Sequence, residues 1–329
     1  MNETTKNNKN QNTMKRKNLN ADMSIAPICF GGNVFGWTLD EKASLRMLDE
    51  LHDQGINFID TANSYSHWVE GNTGGESERI LGKWFAASKK RQDIVLATKV
   101  GGGMQGVEKG LTRQQILDGV DASLQRLRTD YIDLYYSHHD DVNVGVEEIM
   151  GTFQELIQAG KVRALGASNL SGERLLESNQ VAEAKGWTKY IALQPQYNLY
   201  DRAQFETEYK DIVVKEKLAV APYFALASGF LSGKYKTTAD LEGSARKMMV
   251  EHYLNDRGLA ILDALAKTAQ KHQATSAEIA IAWLLHQPVI TAPIVSATNS
   301  TQLQSLVRST AIQLDIDDLA VLETASQWK

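Results

Sequence analysis

The stretch RQDIVLATKVGGGMQGVEKGLTRQQILDGVDASLQRLRTDYIDLYYSHHDD (91–141) decides the fold. It opens on IVLATK (94–99), a run apolar on nearly every residue, as parallel strands buried on both faces require. A loop follows, and then Thr112 with Gln115 fits a capping box, in which two free amides are satisfied reciprocally. Ile116, Val120, Leu124 and Leu127 recur at helical spacing, and YIDLYY (131–136) returns to strand character. This is one strand–helix–strand unit.

The same unit repeats in both directions. Upstream lie APICF (26–30) and INFID (56–60); downstream lie VRALG (162–166), YIALQ (190–194), LAVAP (218–222) and ITAPI (290–294). Helix signals stand between them. Thr38 with Glu41 and Thr275 with Glu278 read as further capping boxes, Leu45, Leu48 and Leu51 keep helical spacing, and Gly55 suits a left-handed residue after a helix. Eight strands at intervals of roughly 25–40 residues predict an α/β fold, a (β/α)8 TIM barrel, with a doubly wound open sheet as the structural rival. One long interval, 224–287, predicts an excursion after strand 7: a Gly- and Lys-bearing loop, then helices near 255–272 and 276–286.

The 329 residues are 43% hydrophobic and 23% charged, enough apolar material for a full core in one domain spanning 14–329. Residues 1–13, MNETTKNNKNQNT, lack a hydrophobic segment and read as a disordered N-terminal extension rather than a secretory signal. A net charge of −5 argues against a nucleic-acid partner, and no apolar run reaches the roughly 18 residues of a membrane span. One cysteine, Cys29, excludes an internal disulfide; it reads as a small core residue in a cytoplasmic protein. No heptad pattern sets an oligomeric state.

Strand ends converge on one mouth of a barrel, so polar residues there are candidates for chemistry. Asp60, Lys99 and His138 end three consecutive strands, and Tyr65 follows Asp60 on the next loop. A phenol with a pKa of about 10 is a weak acid near neutrality; Lys99 as ammonium is expected to lower that pKa, and Asp60 to keep Lys99 charged. His138 would orient a substrate oxygen or relay a proton. Beside a hydride donor, the quartet would reduce an aldehyde or ketone.

The segments FIDTANSY, ATKVG, YIDLYYSHHDD, GASNLS, LQPQYNLYDR and PYFALASGFLSGKY, in this order and spacing, resemble the successive signatures of the aldo-keto reductases, in the branch that includes potassium-channel beta subunits. The resemblance runs from about Met14 to Lys329. It implies a catalytic tetrad of Asp60, Tyr65, Lys99 and His138, acting on a small-molecule carbonyl with NADP(H). It further implies that Ser168, Asn169 and Gln194 hold the nicotinamide carboxamide and that Tyr223 stacks on its ring. Leu226, Ser228, Gly229 and Lys234 would wrap the pyrophosphate, with Arg246 assisting. Ser296, Thr298 and Gln302 would face the adenosine end, and Gly32 and Asn33 would border the cofactor. Many members carry an acidic residue and an Asn after the position of Gln302, where this chain has Ser305 and Leu306, and a basic residue at Thr298. NAD(H) therefore stays open beside NADP(H).

Other readings compete. A cofactor-binding regulatory subunit with little turnover would share the fold, but the channel subunits have Asn where this chain has His138. Lys99 could be a Schiff-base lysine of a lyase. His138, His139, Asp140 and Asp141 invite a metal reading, but adjacent residues leaving a strand point to opposite sides, which makes His139 a rim residue and leaves no metal site. GGGMQG (101–106) satisfies G-x-G-x-x-G, yet the helix opens too late for a dinucleotide fingerprint, and the run reads as a mouth loop. Trp37 and Trp68 would wall the substrate pocket. The mouth loops 33–38, 66–75, 101–110 and 224–250 would set specificity.

Overall fold

The computed structural model describes residues 14–244 and 246–329, so the segment 1–13 lies outside the described residues. Eight parallel strands make one sheet: β1 (Cys29–Gly31), β2 (Phe58–Asp60), β3 (Val95–Val100), β4 (Ile132–Ser137), β5 (Val162–Ser168), β6 (Tyr190–Gln194), β7 (Ala219–Val220) and β8 (Ile294–Val295). Each strand neighbours the next in sequence, and β8 pairs with β1. The β7–β8 seam is closed by the amides of Thr291 and Ala292, which donate to the Val220 carbonyl at 2.9 and 3.1 Å. Ile294 donates to the Pro222 carbonyl at 2.9 Å. A doubly wound sheet would reverse its strand order at a switch point; this one does not, and it is the expected barrel.

Every sequence-predicted strand is present, but β1 and β8 begin late. Pro27 and Pro293 carry no amide hydrogen and interrupt the ladder at both places. The excursion after β7 holds a kinked turn at Ala227–Ser232 and then helices Asp256–His272 and Ser276–His286. Thr112–Gln115 and Thr275–Glu278 are true capping boxes, and Gly55 takes a φ of +77° after the first helix. Thr38–Glu41 is not one. The amides of Trp37 and Leu39 are tied back to the Val34 carbonyl, so the chain is still a loop there, and Asp40 caps Glu41–Asp53 by accepting from the Ala43 amide at 2.7 Å. No helix of the described residues is long and apolar enough to cross a membrane.

Period-two alternation divides the strand residues into two cores. Ile59, Leu96, Tyr135, Leu165 and Leu193 face outward into helix side chains such as Leu48, Leu81 and Ile116. Cys29, Phe58, Ala97, Leu134, Tyr136, Ala164 and Ala192 fill the interior. An antiparallel hairpin, Lys17–Asn18 with Ser24–Ile25, sends Leu19, Met23 and Ile25 into the same interior cluster.

Large and small residues interlock inside. Tyr136 stands beside Gly166 in the β4–β5 register, and a Cβ on Gly166 would overlap the tyrosine ring. Gly166→Ala is therefore expected to cost about 1–3 kcal/mol, as overpacking does. Urea unfolding would show a lower midpoint at an unchanged slope; an unmoved midpoint would contradict the packing described.

Candidate active site

The inward parity that builds the core also builds the site. Two residues above Phe58 on β2 stands Asp60, two above Ala97 on β3 stands Lys99, and two above Tyr136, just past β4, stands His138. Lys99 is fully buried and all three of its ammonium hydrogens are used. They go to Asp60 Oδ2 at 2.7 Å, to the Thr61 carbonyl at 2.8 Å and to the Tyr65 hydroxyl at 2.8 Å. The Tyr65 hydroxyl donates to Asp60 Oδ2 over a long 3.2 Å, while Asp60 Oδ1 accepts from Gln194 Nε2 at 2.9 Å. Thus three of the four expected residues are joined directly. The fourth, His138, meets the Tyr65 ring edge-on with centroids 6.2 Å apart.

These groups open onto a cavity of about 580 Å³. Tyr65 and His138 line it; Asp60 and Lys99 lie behind Tyr65 and do not. The quartet therefore divides into two groups that can touch a ligand and two that lie behind Tyr65.

Burial, reinforced by the Asp60 carboxylate, pushes the Tyr65 phenol well above its ordinary range. This corrects the expectation that Lys99 lowers it. The ammonium shares Asp60 Oδ2 with the phenol, so its field is offset by the carboxylate at the same point, and exclusion of water prevails. Burial also lowers Lys99 below the usual lysine value, opposed by the charge and hydrogen bond of Asp60. His138 is held well below the usual imidazole range, first by burial and then by the charges of Lys99 and His139. Its Nδ1 is buried and unpartnered among the described residues.

The GGGMQG loop contributes backbone rather than a fingerprint. Its last glycine, Gly106, lies in the turn between the bridged residues Met104 and Val107, and the helix starts only at Arg113. A Cβ on Gly102 would fall 2.7 Å from Ser64 Oγ and 2.8 Å from His138 Nδ1, so the bare backbone here makes room for the imidazole.

The residues expected around a cofactor are distributed as follows. Asn33, Ser168, Asn169, Gln194, Tyr223, Leu226, Ser228, Gly229, Arg246 and Ser296 line the cavity. Asn169, at φ +54°, donates to the His138 carbonyl at 2.8 Å and accepts from the Tyr223 hydroxyl at 2.9 Å. Ser296 Oγ donates toward the Gly31 carbonyl at 2.8 Å and Asn33 Oδ1 at 3.0 Å. Ala227, Ser228 and Gly229 are consecutive positive-φ residues, and Arg246 Nη1 reaches the Ser228 carbonyl at 3.3 Å. Gly32, Lys234, Thr298 and Gln302 do not line the cavity. Gly32 faces Ser77 and the Asp60 carbonyl, Lys234 lies against Gly229, and Gln302 Oε1 accepts from the Thr298 amide at 2.8 Å.

Trp37 and Trp68 meet edge-on at 5.6 Å and both line the cavity, with Phe224 and Met249 also on the wall. His139 lines it too and stacks on His138, centroids 4.6 Å apart and planes at 19°. The two rings thus lie side by side, not on the opposite sides that strand alternation predicts for adjacent residues. Thr61, whose carbonyl helps hold Lys99, also escaped the sequence reading; a backbone acceptor leaves no residue-type signal.

The barrel, with a cavity at its strand ends, is the fold of a known oxidoreductase family. The Aldo/keto reductase family model matches residues 27–327, and the chain belongs to that family. It is 33% identical to a protein named uncharacterized oxidoreductase YrpG from Bacillus subtilis (strain 168), covering 91% of this chain and 92% of that protein. It is 31% identical to a probable voltage-gated potassium channel subunit beta from Arabidopsis thaliana, over 90% and 91%. Against the norsolorinic acid reductase stcV of Emericella nidulans identity is 30%, over 92% of this chain and 79% of that one.

Proposed function

We propose that this chain reduces an aldehyde or ketone with NADP(H), NAD(H) being the alternative cofactor, and oxidises the alcohol in reverse. The observation that carries this reading is the chain of contacts from Asp60 through Lys99 to Tyr65, whose phenol then faces the cavity. The cavity suits a dinucleotide. The left-handed run at Ala227–Gly229 allows close backbone approach, and Arg246 makes no ion pair with a carboxylate among the described residues. Ser168, Asn169, Gln194 and Tyr223 would hold the nicotinamide end and Ser228, Gly229 and Arg246 the phosphates, with Ser296 toward the adenosine end; Lys234, Thr298 and Gln302, outside the cavity, would meet only those parts of the cofactor that extend beyond it. Bound there, the reduced cofactor supplies a hydride.

The protein supplies the proton. Tyr65, kept protonated by burial, turns its hydroxyl from the long contact with Asp60 toward the substrate oxygen and acts as general acid. Lys99, whose Nζ donates to the Tyr65 hydroxyl oxygen at 2.8 Å, stabilises the phenolate left behind. Asp60 keeps Lys99 charged against its burial, and neutral His138 orients the carbonyl. A Schiff-base role for Lys99 is disfavoured, since its three hydrogens are engaged and it does not line the cavity. Consumption of NADPH and of NADH across aldehydes, ketones and quinones tests the proposal. Tight cofactor binding without turnover of any of them would favour the binding-only reading that relatives named channel subunits suggest.

The pH profile follows from the shifts. A phenol raised above its ordinary value stays protonated through neutrality, and an imidazole held below its own stays neutral. Reductive kcat/KM is expected to be flat from about pH 6 to 8 and to fall only as Lys99 loses its proton on the alkaline side. Alcohol oxidation, which needs the phenolate, should rise with pH over the same range. An acid limb near the usual imidazole value of about 6.5 in reduction would contradict the neutral His138.

A further inference from the structure

His139 has no part in the proton pathway, yet it sits on the cavity wall against His138. The backbone around it is fastened by others. Asn169 Nδ2 donates to the His138 carbonyl at 2.8 Å, Arg174 Nε to Asp140 Oδ1 at 3.2 Å, and the Leu111 amide to Asp141 Oδ2 at 3.0 Å. None of the hydrogen bonds of this segment, among the described residues, involves the His139 ring. A half-buried imidazole on a cavity wall, with no hydrogen bond to its ring among the described residues, is a hydrogen-bonding group open to a ligand.

Building on the reductase reading, we propose that His139 determines specificity by hydrogen-bonding a second oxygen of the substrate. The favoured class is a neutral carbonyl compound with a hydroxyl or further carbonyl on the adjacent carbon or the one beyond. The geometry sets the class. A carbonyl oxygen taken by Tyr65 lies against His138, and the next imidazole is one ring spacing away, 4.6 Å, in a nearly parallel plane. A neutral imidazole offers one donor and one acceptor, so it serves a hydroxyl or a carbonyl equally. Neither imidazole supplies a cation for a carboxylate. Burial and the charges of Lys109 and Lys99 lower the pKa of both rings. Trp37, Trp68 and Phe224 add apolar wall to the same cavity.

A matched substrate pair separates this role from packing. Diacetyl carries the second oxygen and butanone lacks it; intrinsic reactivity cancels when the ratio of their kcat/KM values is compared between variants. His139→Phe keeps a flat ring against His138 but removes the hydrogen bond, and should lower the diacetyl-to-butanone ratio by about tenfold. His139→Gln, which can still hydrogen-bond, should retain a larger share of the ratio. Equal changes for both substrates in His139→Phe would mean that the ring only packs, and would overturn the inference while leaving the reductase reading intact. Failure of the unaltered protein to reduce diacetyl while it turns over other carbonyl compounds would overturn the inference alone; failure across aldehydes, ketones and quinones would overturn both together.

Discussion

Tyr65→Phe is expected to lower kcat for carbonyl reduction by about 10²–10⁴-fold while the Kd for the cofactor stays within a few-fold. The substitution removes one hydroxyl and leaves a ring of the same shape between Lys99 and the cavity. What disappears is the hydroxyl that would face a bound carbonyl and that burial keeps protonated. Lys99 would lose one of three acceptors but keep Asp60 and the Thr61 carbonyl, so the fold should be little disturbed. Single-turnover kinetics with prebound cofactor isolates the chemical step from binding. If kcat survived within a few-fold, Tyr65 would not be the proton donor.

Lys99→Met carries the second large effect, and it divides into stability and activity. Removing the ammonium leaves the Asp60 carboxylate buried with only Gln194 and the Tyr65 hydroxyl to satisfy it. Breaking one partner of a buried pair typically costs about 3–5 kcal/mol. Asp60→Asn in the same chain removes the uncompensated charge, so the double variant should regain much of the lost stability. Activity should not return with it, because nothing would then stabilise the phenolate of Tyr65. Chemical denaturation and steady-state assays on both variants read the two quantities separately. A double variant no more stable than Lys99→Met would mean that Lys99 and Asp60 are not coupled as their 2.7 Å contact indicates.

The barrel was legible because its strands are buried on both faces and its helices carry their caps in the sequence. Thr112 with Gln115 and Thr275 with Glu278 need only local geometry, and they form. Asp40 displaced Thr38 because Val34 holds the intervening amides, a constraint no propensity reports. The hairpin at Lys17–Asn18 and Ser24–Ile25 is two residues a side, too short for alternation to show. In the site, Asp60, Lys99 and His138 were legible because strand parity delivers them to one mouth. The same rule sends His139 to the opposite side, whereas its ring stacks on His138. The direction of the Tyr65 shift was hidden for another reason: it depends on how completely water is excluded and on a shared carboxylate oxygen, and both are properties of the assembled core.

Label transfer tests the central claim most directly. The protein would be incubated with NADPH carrying deuterium on the nicotinamide carbon that donates hydride, together with an aryl ketone, and the alcohol analysed by mass spectrometry. The account predicts stoichiometric deuterium on the carbinol carbon with the unaltered chain, and almost no alcohol with Tyr65→Phe. An unaltered chain that binds the cofactor yet forms no labelled alcohol from any carbonyl compound would contradict it.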